Sequence, residues 1–246
     1  PDQNAYEVGL NYGRIDNQAD DSQLNASLNV LSPQRNAGMS FFASRRQREY
    51  LDINGDHFSE MPSLKNNSFG ITSFLKPAPD QKLEFNFSSL YEYRYGGEKT
   101  DKAAYLAQQS EERTHHVIMG GLDYEIGFND DRSTLILYLA GQNTTRKHYT
   151  GILPDAADTA AYMRHVFNPP YGNTKNTTLQ AGLQVNHTWE DFLGGTNRLT
   201  VGAEYSYDDV VDEIEAYSYK LDQTTANTGM FVQSDWQVIG GLTLLS

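Results

Sequence analysis

The stretch DINGD (52–56) and the acidic residue at position 60 place oxygen-bearing side chains at the spacing of a calcium-binding loop. The four candidate ligands are Asp52, Asn54, Asp56 and Glu60. Ca²⁺ is a hard cation that takes such oxygen ligands. However, His57 stands where an EF-hand loop needs Gly, and Ser63 stands where it needs Glu. The pattern therefore predicts either a calcium site or an acidic hairpin tip turned by its Asn-Gly pair.

The histidines are a second set of potential metal or haem ligands. His115 and His116 are adjacent, and neighbouring residues on a strand face opposite sides, so they cannot chelate one ion without a bulge. His148 and His165 fall in the longest predicted loop, and His187 falls on a predicted strand. We interpret them as surface or interface residues, and we predict no cofactor apart from calcium.

The segment KHYTGILPDAADTAAYMRHVFNPPYGN (147–173) combines aromatic and basic side chains that could grip a bulky ligand. These residues are Tyr149, Tyr162, Arg164, Phe167 and Tyr171. Binding residues are commonly found on loops that a rigid scaffold positions. We predict that the segment either binds a ligand through these five residues or covers the protein without binding one.

Motifs and charge argue against catalysis and against nucleic-acid binding. The chain contains no G-x-S-x-G, H-E-x-x-H or phosphate-loop sequence. Its carboxylates gather in runs such as DDVVDEIEA (208–216), which usually solvate a loop tip. The formal net charge is -13, whereas nucleic acid requires a basic footprint. We therefore predict a protein that is not an enzyme and does not bind nucleic acid.

The elements that must position these groups follow a two-residue period. In KLEFNFSSLYEYRYGG (82–97), apolar side chains alternate with polar ones, as in a strand with one apolar and one wet face. Ordinary strands have only about 5 to 6 residues. Similar rows predict about 10 to 11 long strands, and no convincing helical period appears. One predicted apolar row, interrupted by three leucines of the other parity, consists of Thr134, Ile136, Tyr138 and Ala140.

Short and long connections alternate between the predicted strands. Short turns are expected at 32–36, 76–81, 128–133, 190–197 and 239–241. Longer segments are expected at 14–21, 46–66, 96–113, 147–176 and 208–227. In an antiparallel meander, this alternation puts the short turns at one end of the sheet and the long loops at the other. Outer-membrane barrels sort their loops in this way, with one strand parity facing lipid and the other facing water.

The predicted fold is therefore all-β, an antiparallel up-and-down meander that is part of a transmembrane β-barrel. Trp189 and Trp236 lie close to short turns and are expected in the periplasmic aromatic girdle. Tyr91, Tyr93 and Tyr95 are expected near or above the outer interface, because a tyrosine ring is apolar and its hydroxyl is polar. A soluble β-sandwich or propeller is the alternative.

The segment GMFVQSDWQVIGGLTLLS (229–246) resembles the recurrent barrel hairpin of TonB-dependent outer-membrane transporters. In that hairpin, a strand that ends in Gln, an acidic residue and Trp enters a tight turn, and the matching residues here are Gln233, Asp235 and Trp236. Residues 45–77, together with YEYRYGG and GQNTTRKHY, are similar to barrels of this family from Bacteroidetes. The resemblance extends over nearly the whole chain.

The resemblance implies a barrel of about 22 strands around a plug domain, in the outer membrane of a Gram-negative bacterium. Such a protein imports a scarce, bulky nutrient such as siderophore-bound iron, haem, cobalamin or a glycan, with energy supplied through TonB. We interpret residues 1–246 as a partial barrel domain without the plug, the TonB box or the remaining strands. A soluble β-rich glycan-binding or adhesion module and a passive porin-type channel are the alternatives.

The resemblance also suggests partners for the basic residues that adjoin one predicted outer loop, Arg45, Arg46 and Arg48. A guanidinium group binds phosphate in a bidentate fork, so these arginines could contact lipopolysaccharide phosphates. A solvated strand end is the alternative. The other expected partners are outer-membrane lipid, a small-molecule nutrient, and TonB through the missing N-terminal region.

Overall fold

The chain forms a single antiparallel sheet in the computed structural model, which describes residues 3–129, 132–239 and 242–245. The elements are β1 (Ala5–Ile15), β2 (Ala19–Leu31), β3 (Ala37–Arg48), β4 (Ser63–Leu75), β5 (Gln81–Gly97), β6 (Gln109–Phe128), β7 (Ser133–Ile152), α1 (Thr159–Phe167), β8 (Gly172–Phe192), β9 (Gly195–Ile214), β10 (Tyr219–Ile239) and β11 (Leu242–Leu245). Each strand pairs with the next, so the order in the sheet is the order in the chain. The predicted meander is confirmed.

The sheet has one apolar face and one polar face, because strand alternation and register act together. Val8 lies opposite Ala26, and Ala26 lies opposite Ala43, so apolar residues line up across strands. On the other face, polar side chains bond to one another across strands, as when the Ser44 hydroxyl donates to the Asn25 amide oxygen at 2.7 Å. We call these two sides the apolar face and the polar face.

The apolar face is largely uncovered. Tyr6, Val8 and Leu10 of β1 are 84%, 70% and 74% exposed, and exposed apolar residues recur on every strand of the sheet. Only a few apolar side chains are buried among the described residues, namely Ala19, Leu51, Leu64, Ala104, Ala107 and Tyr149. The described sheet therefore has no apolar core between two layers, and its apolar face requires an apolar environment from outside the chain.

The register corrects the predicted apolar row of β7. Leu139 lies opposite Leu122 of β6 and Ala181 of β8, and it is 56% exposed on the apolar face. Tyr138 lies on the polar face, where its hydroxyl donates to Glu204. The prediction that Thr134, Ile136, Tyr138 and Ala140 form the apolar row was wrong by one residue. Both parities of this strand contain large apolar side chains, so only pairing with its neighbours decides the face.

Two of the predicted long loops are mostly strand. The segment 14–21 contains only a short turn at 16–18, and 208–227 is bent only at 215–218 between β9 and β10. The acidic run was predicted as a loop tip because its charge suggested solvation. Its carboxylates are instead held along the strands by neighbouring donors, as where the Thr178 hydroxyl and the Asn176 amide both donate to Asp208.

The prediction without helices missed α1. Asp158 caps this helix by accepting a hydrogen bond from the Ala161 backbone N–H at 3.1 Å. The helix has nine residues, too few for a clear 3.6-residue period in the sequence. No helix in the described part of the chain is long and apolar enough to cross a bilayer.

Candidate functional site

The connections define two unlike ends of the sheet. The first, which we call the loop end, carries the long connections 49–62, 98–108 and 153–171. The second, which we call the turn end, carries the short turns at 32–36, 76–80 and 193–194. The predicted turns at 128–133 and 239–241 include residues outside the described part of the chain. Loops sorted in this way place irregular backbone and polar side chains at the loop end.

A cavity of about 840 Å³ lies at the loop end. Phe58, Ser59 and Pro62 of the connection 49–62 line one side of it. β5, β6 and β7 line the other side, and the charged side chains that they contribute are Arg94, Glu111 and Arg113. Arg94 and Arg113 are opposite each other in register, on the polar face. The cavity is therefore a vestibule on the polar face, roofed by one loop and lined by both charged and apolar side chains.

Five arginines surround or underlie this vestibule on the polar face. They are Arg46, Arg48, Arg94, Arg113 and Arg146. Three of them pair with carboxylates, namely Arg46 with Asp21 at 2.6 Å, Arg94 with Glu92 at 2.7 Å, and Arg113 with Glu111 at 2.6 Å. Arg48 donates to the Pro62 carbonyl at 3.0 Å, and Arg146 donates to the Thr174 hydroxyl at 3.2 Å. The arginines thus form a charged ladder along neighbouring strands.

Several side-chain nitrogen atoms of this ladder and of the neighbouring histidines are buried without a hydrogen-bond partner among the described residues. They are Nε of Arg48, Nε of Arg146, Nε2 of His115 and Nδ1 of His148. A buried polar atom left unpaired costs about 1–3 kcal/mol. The site therefore has spare hydrogen-bonding capacity toward an oxygen-rich ligand or water on the polar face.

Sequence reasoning missed Arg94, Arg113 and Arg146 as a group. Arg94 stands among the tyrosines of YEYRYGG, on the parity opposite to them. That alternation gave its face, but the strand register was needed to place it opposite Arg113. Arg146 lies on the next strand opposite His115, which follows Arg113 on the same face. Residues this far apart in sequence meet only through long-range pairing.

The three arginines predicted to contact lipopolysaccharide do not form one cluster. Arg46 and Arg48 point to the polar face, where Arg46 is held by Asp21 and Arg48 contacts the connection before β4. Arg45 lies on the apolar face, opposite Leu24 of β2. The three arginines lie on different faces because successive residues of a strand alternate between its two faces. Contact of these residues with lipopolysaccharide stays a prediction.

The five residues predicted to bind a ligand in 147–173 are also divided. Tyr149 lies on β7 and is fully buried. Its hydroxyl is 3.1 Å from Nε2 of His165, and its ring centroid is 5.3 Å from that of Tyr171. Tyr162 and Arg164 lie on α1, and Phe167 ends this helix with 77% exposure. Tyr149 therefore packs inside the protein, and ligand binding by the five residues stays a prediction.

Tyr171 belongs to a small folded unit that we call the clasp, formed by residues 98–108 and 153–171, and Tyr149 of β7 packs against this unit. His165 of α1 also contacts the Tyr105 carbonyl at 2.8 Å, which joins the two segments. The Tyr171 hydroxyl donates to Glu112 at 2.8 Å, and the Tyr93 hydroxyl donates to the same carboxylate at 2.9 Å. Burial, followed by the bond to Glu112, raises the pKa of Tyr171. The clasp therefore packs on the loop end of the apolar face.

The acidic hairpin at 52–60 brings three of its four predicted calcium ligands together. Carboxylate oxygens of Asp52, Asp56 and Glu60 lie within 4.8 Å of one another. The Asn54 amide oxygen instead accepts the Asp56 backbone N–H at 2.9 Å. Asp52 accepts backbone N–H groups of Gly55 and His57, both of which have positive φ. The structure thus contains the predicted Asn-Gly turn, and calcium binding stays a prediction.

The histidines occupy separate environments. His115 lies opposite Arg146 on the polar face, and His116 lies opposite Thr145 on the apolar face, so the adjacent pair does not converge. Nδ1 of His187 is 2.7 Å from the Ser133 hydroxyl oxygen. Its ring contacts Trp189 edge-on, with centroids 4.5 Å apart.

Aromatic side chains gather near the turn at 193–194. The ring of Phe192 lies between Trp189 and Trp236, with centroid distances of 6.2 and 5.9 Å. The Trp236 indole N–H donates to the Phe192 carbonyl at 3.1 Å. Both tryptophans therefore lie close to the turn at 193–194, where an aromatic girdle was expected.

A meander with one exposed apolar face, long loops at one end and aromatic residues at the other is the arrangement of an outer-membrane barrel wall. No family model matches the chain, and no curated protein matches it. Several solved structures match the chain in fold. The siderophore receptor PirA from Pseudomonas aeruginosa has a TM-score of 0.66 and 12% identity, over 98% of this chain and 35% of its own.

Two further solved structures give the same result. PirA from Acinetobacter baumannii has a TM-score of 0.65 and 13% identity, over 98% of this chain and 36% of its own. The FrpB iron transporter from Neisseria meningitidis has a TM-score of 0.62 and 13% identity, over 90% of this chain and 34% of its own. These proteins are TonB-dependent outer-membrane receptors and not enzymes. The chain has the fold of their barrels and spans about a third of their length.

Proposed function

We propose that this chain is part of the barrel wall of a TonB-dependent outer-membrane transporter. The observation that carries the proposal is the uncovered apolar face, which extends across a sheet with the fold of siderophore-receptor barrels. Acyl chains supply the apolar environment that this face requires, and further strands close the barrel so that edge backbone groups are paired. The polar face then lines a water-filled lumen.

The proposed cargo is a scarce, bulky nutrient such as siderophore-bound iron, haem, cobalamin or a glycan. The vestibule of about 840 Å³ supports this assignment, because it lies at the loop end and on the lumen side of the wall. In a Gram-negative cell the loop end faces outward, so a ligand from the medium reaches the vestibule first. TonB acts through a plug region outside residues 1–246.

The experiment that tests the proposal is uptake by cells carrying the full-length protein. We expect nutrient-limited growth to depend on the gene, on TonB and on the inner-membrane proton gradient, and the purified protein to require detergent. Uptake that persists without the gradient would instead indicate the passive porin-type channel. A full-length protein that is recovered in solution without detergent would indicate the soluble glycan-binding or adhesion module.

The vestibule can be tested in the same cells. Arg94→Gln with Arg113→Gln removes two cations that line the cavity, and Arg198→Gln with Lys220→Gln removes two cations that do not line it. We expect the first pair to lower the apparent affinity for the nutrient and the second pair to leave it unchanged. Equal uptake curves for both pairs of substitutions would show that Arg94 and Arg113 of the vestibule do not contribute to ligand binding.

A further inference from the structure

A second cavity, of about 610 Å³, lies at the turn end beside the start of β7 and the end of β8. The pairing of β8 with β9 shifts register between Trp189 and Phe192, so the alternation of faces is interrupted there and consecutive residues line one cavity. Charged and aromatic side chains line it together, namely Arg132, His187, Trp189, Glu190, Asp191 and Phe192. All of these except His187 are exposed, so the cavity is accessible from outside the chain.

The cavity adjoins the apolar face of β7 and β8. His187 lies opposite Ser133, and four residues farther toward the loop end Leu183 lies opposite Leu137. These residues share one face because they are an even number of positions apart, and Leu183 and Leu137 are 45% and 41% exposed. In the proposed membrane location, the leucines contact acyl chains and the cavity lies at the headgroup level of the periplasmic leaflet. A molecule with acyl chains and a polar headgroup therefore matches this part of the wall.

Carboxylates outnumber cations around the cavity. Arg132 pairs with Glu190 at 3.0 Å, and Asp191 adds a second carboxylate to the lining. The neighbouring strands add one residue of each sign, Arg198 of β9 and Asp235 opposite it on β10. The sequence also has aspartates at positions 130 and 131, which lie outside the described residues. This charge balance disfavours a headgroup with a net negative charge and favours one that contains a cation.

His187 supplies a hydrogen-bond donor to the cavity. The Asn129 amide donates to the Ser133 hydroxyl at 3.1 Å, and this hydroxyl oxygen is 2.7 Å from Nδ1 of His187. Because Ser133 is only 2% exposed and its oxygen already accepts from Asn129, its own hydrogen is donated to Nδ1. A neutral imidazole that accepts at Nδ1 carries its N–H at Nε2. His187 and Arg132 therefore both offer N–H groups to an oxygen ligand.

These groups match the two charges of a zwitterionic headgroup. The guanidinium of Arg132 and the imidazole of His187 can donate to phosphate oxygens, while Glu190 and Asp191 can accept from an ammonium group. Trp189 is 42% exposed, and the face of an indole ring attracts a cation. A lipid whose headgroup has a phosphate but no cation would leave the two carboxylates without a partner.

We infer that this cavity binds the headgroup of phosphatidylethanolamine in the periplasmic leaflet. The primary ammonium donates to Glu190 and Asp191, and the phosphate accepts from Arg132 and His187. The acyl chains lie along the exposed leucines of β7 and β8. The inference rests on the proposed membrane location, and it assigns a lipid site at the opposite end of the sheet from the vestibule.

The test uses the full-length protein, stripped of lipid in detergent and titrated with phosphatidylethanolamine, phosphatidylcholine and phosphatidylglycerol of identical acyl chains. Glycerophosphoethanolamine is the probe for the headgroup without chains, and binding is followed by native mass spectrometry. The variants are Arg132→Gln and Glu190→Gln/Asp191→Asn. Asp80→Asn/Glu125→Gln removes two carboxylates of the turn end that do not line the cavity and is the matched control. All of these positions are exposed, and migration on unheated gels reports that each variant is folded.

We expect wild type to bind phosphatidylethanolamine about tenfold more tightly than phosphatidylglycerol, which is the contribution of about one hydrogen bond to a charged group. Phosphatidylcholine should bind more weakly than phosphatidylethanolamine, because a trimethylammonium group has no N–H to donate. Glu190→Gln/Asp191→Asn should lose the preference for phosphatidylethanolamine over phosphatidylglycerol, and the control should keep it. Arg132→Gln should weaken binding of both lipids.

Equal affinity of wild type for phosphatidylethanolamine and phosphatidylglycerol would overturn the inference, as would an unchanged preference in Glu190→Gln/Asp191→Asn. Phosphatidylcholine or glycerophosphoethanolamine that binds wild type as tightly as phosphatidylethanolamine would also overturn it. A full-length protein that needs no detergent would contradict the proposed function instead.

Discussion

At the scale of single residues, burial distinguishes two aromatic side chains at the clasp, Tyr149 of β7 and Phe167 of α1. Tyr149 is fully buried, whereas Phe167 on α1 is 77% exposed. Both were predicted as ligand contacts, because aromatic residues in a long segment have the same appearance in sequence whether they pack inward or point to solvent. The contacts of Tyr149 with His165 and Tyr171 could not be predicted, since these residues meet only when α1 folds back onto β7.

Tyr149→Ala should open the clasp. Truncating a large buried aromatic side chain costs about 3–5 kcal/mol, and here the lost contacts are those that hold α1 on the sheet. We expect faster proteolytic cleavage within 153–171 in the folded protein. Phe167→Ala, on the same segment, should leave the cleavage rate near that of wild type. Equal cleavage of both variants would show that Tyr149 does not hold the clasp closed.

Calcium binding at the acidic hairpin is a prediction for Asp52, Asn54, Asp56 and Glu60. We expect calorimetric titration of the full-length protein with CaCl2 to show a binding heat that Asp56→Asn abolishes, because neutralising one carboxylate removes a charged oxygen ligand. Asp80→Asn in a turn at the other end is the control. Equal binding heats for Asp56→Asn and Asp80→Asn would show that the hairpin is a turn stabilised by Asp52 and not a calcium site.

At the scale of elements, the strand pattern predicted most of the sheet. The two-residue period gave the strands, and the alternation of turns gave their antiparallel order. The two-residue period did not identify the apolar face of β7, because leucines occur on one parity and Ile136 and Tyr138 on the other. The segment 208–216 was predicted as a loop because of its charge, although it is mostly strand. In both places the outcome is decided by the neighbouring strand, through register in the first case and hydrogen-bond donors in the second.

The corrected register of β7 makes a direct prediction about which side meets lipid. Leu139→Lys places a charge on the apolar face and should destabilise the barrel by about 2–4 kcal/mol near the bilayer midplane. Ala140→Lys, one residue along, places it on the polar face and should cost far less. Unfolding of the full-length protein in lipid vesicles measures both. If Ala140→Lys destabilised the protein more than Leu139→Lys, the apolar face of β7 would be the one that contains Ala140.

The Tyr138 side chain of β7 can cross β8 to reach β9 because residue 182 of β8 is a glycine. A Cβ at Gly182 would overlap the ring of Tyr138, which reaches across β8 to Glu204. Gly182→Ala should therefore lower the free energy of unfolding by about 1–3 kcal/mol. Gly9→Ala, where no atom lies within 4 Å of the added Cβ, should have little effect. Adding Tyr138→Ala to Gly182→Ala should remove the clash, and failure of this rescue would locate the strain elsewhere.

At the scale of the whole molecule, the arrangement of charge follows the two faces. Ion pairs such as Arg46–Asp21 and Arg94–Glu92 lie on the polar face near the loop end. Four cations of the apolar face form no ion pair with a described carboxylate, namely Arg45, Lys65, Lys147 and Lys175. The composition alone gave only the net charge of -13. It could not reveal this distribution of charge, because the four cations come from four strands and only the register of the sheet places them on one face.

The length of the later strands has one more consequence. β6 and β7 have 20 residues each, and at about 3.3 Å per residue with a tilt of about 45° they rise to roughly 47 Å. The hydrocarbon region is only about 30 Å thick. In the proposed membrane location, the wall is therefore taller than the acyl-chain region, and the vestibule lies on the part that projects beyond it. A solute entering there would be enclosed by protein before it reached the depth of the bilayer, shielded from the charged surface of the surrounding leaflet.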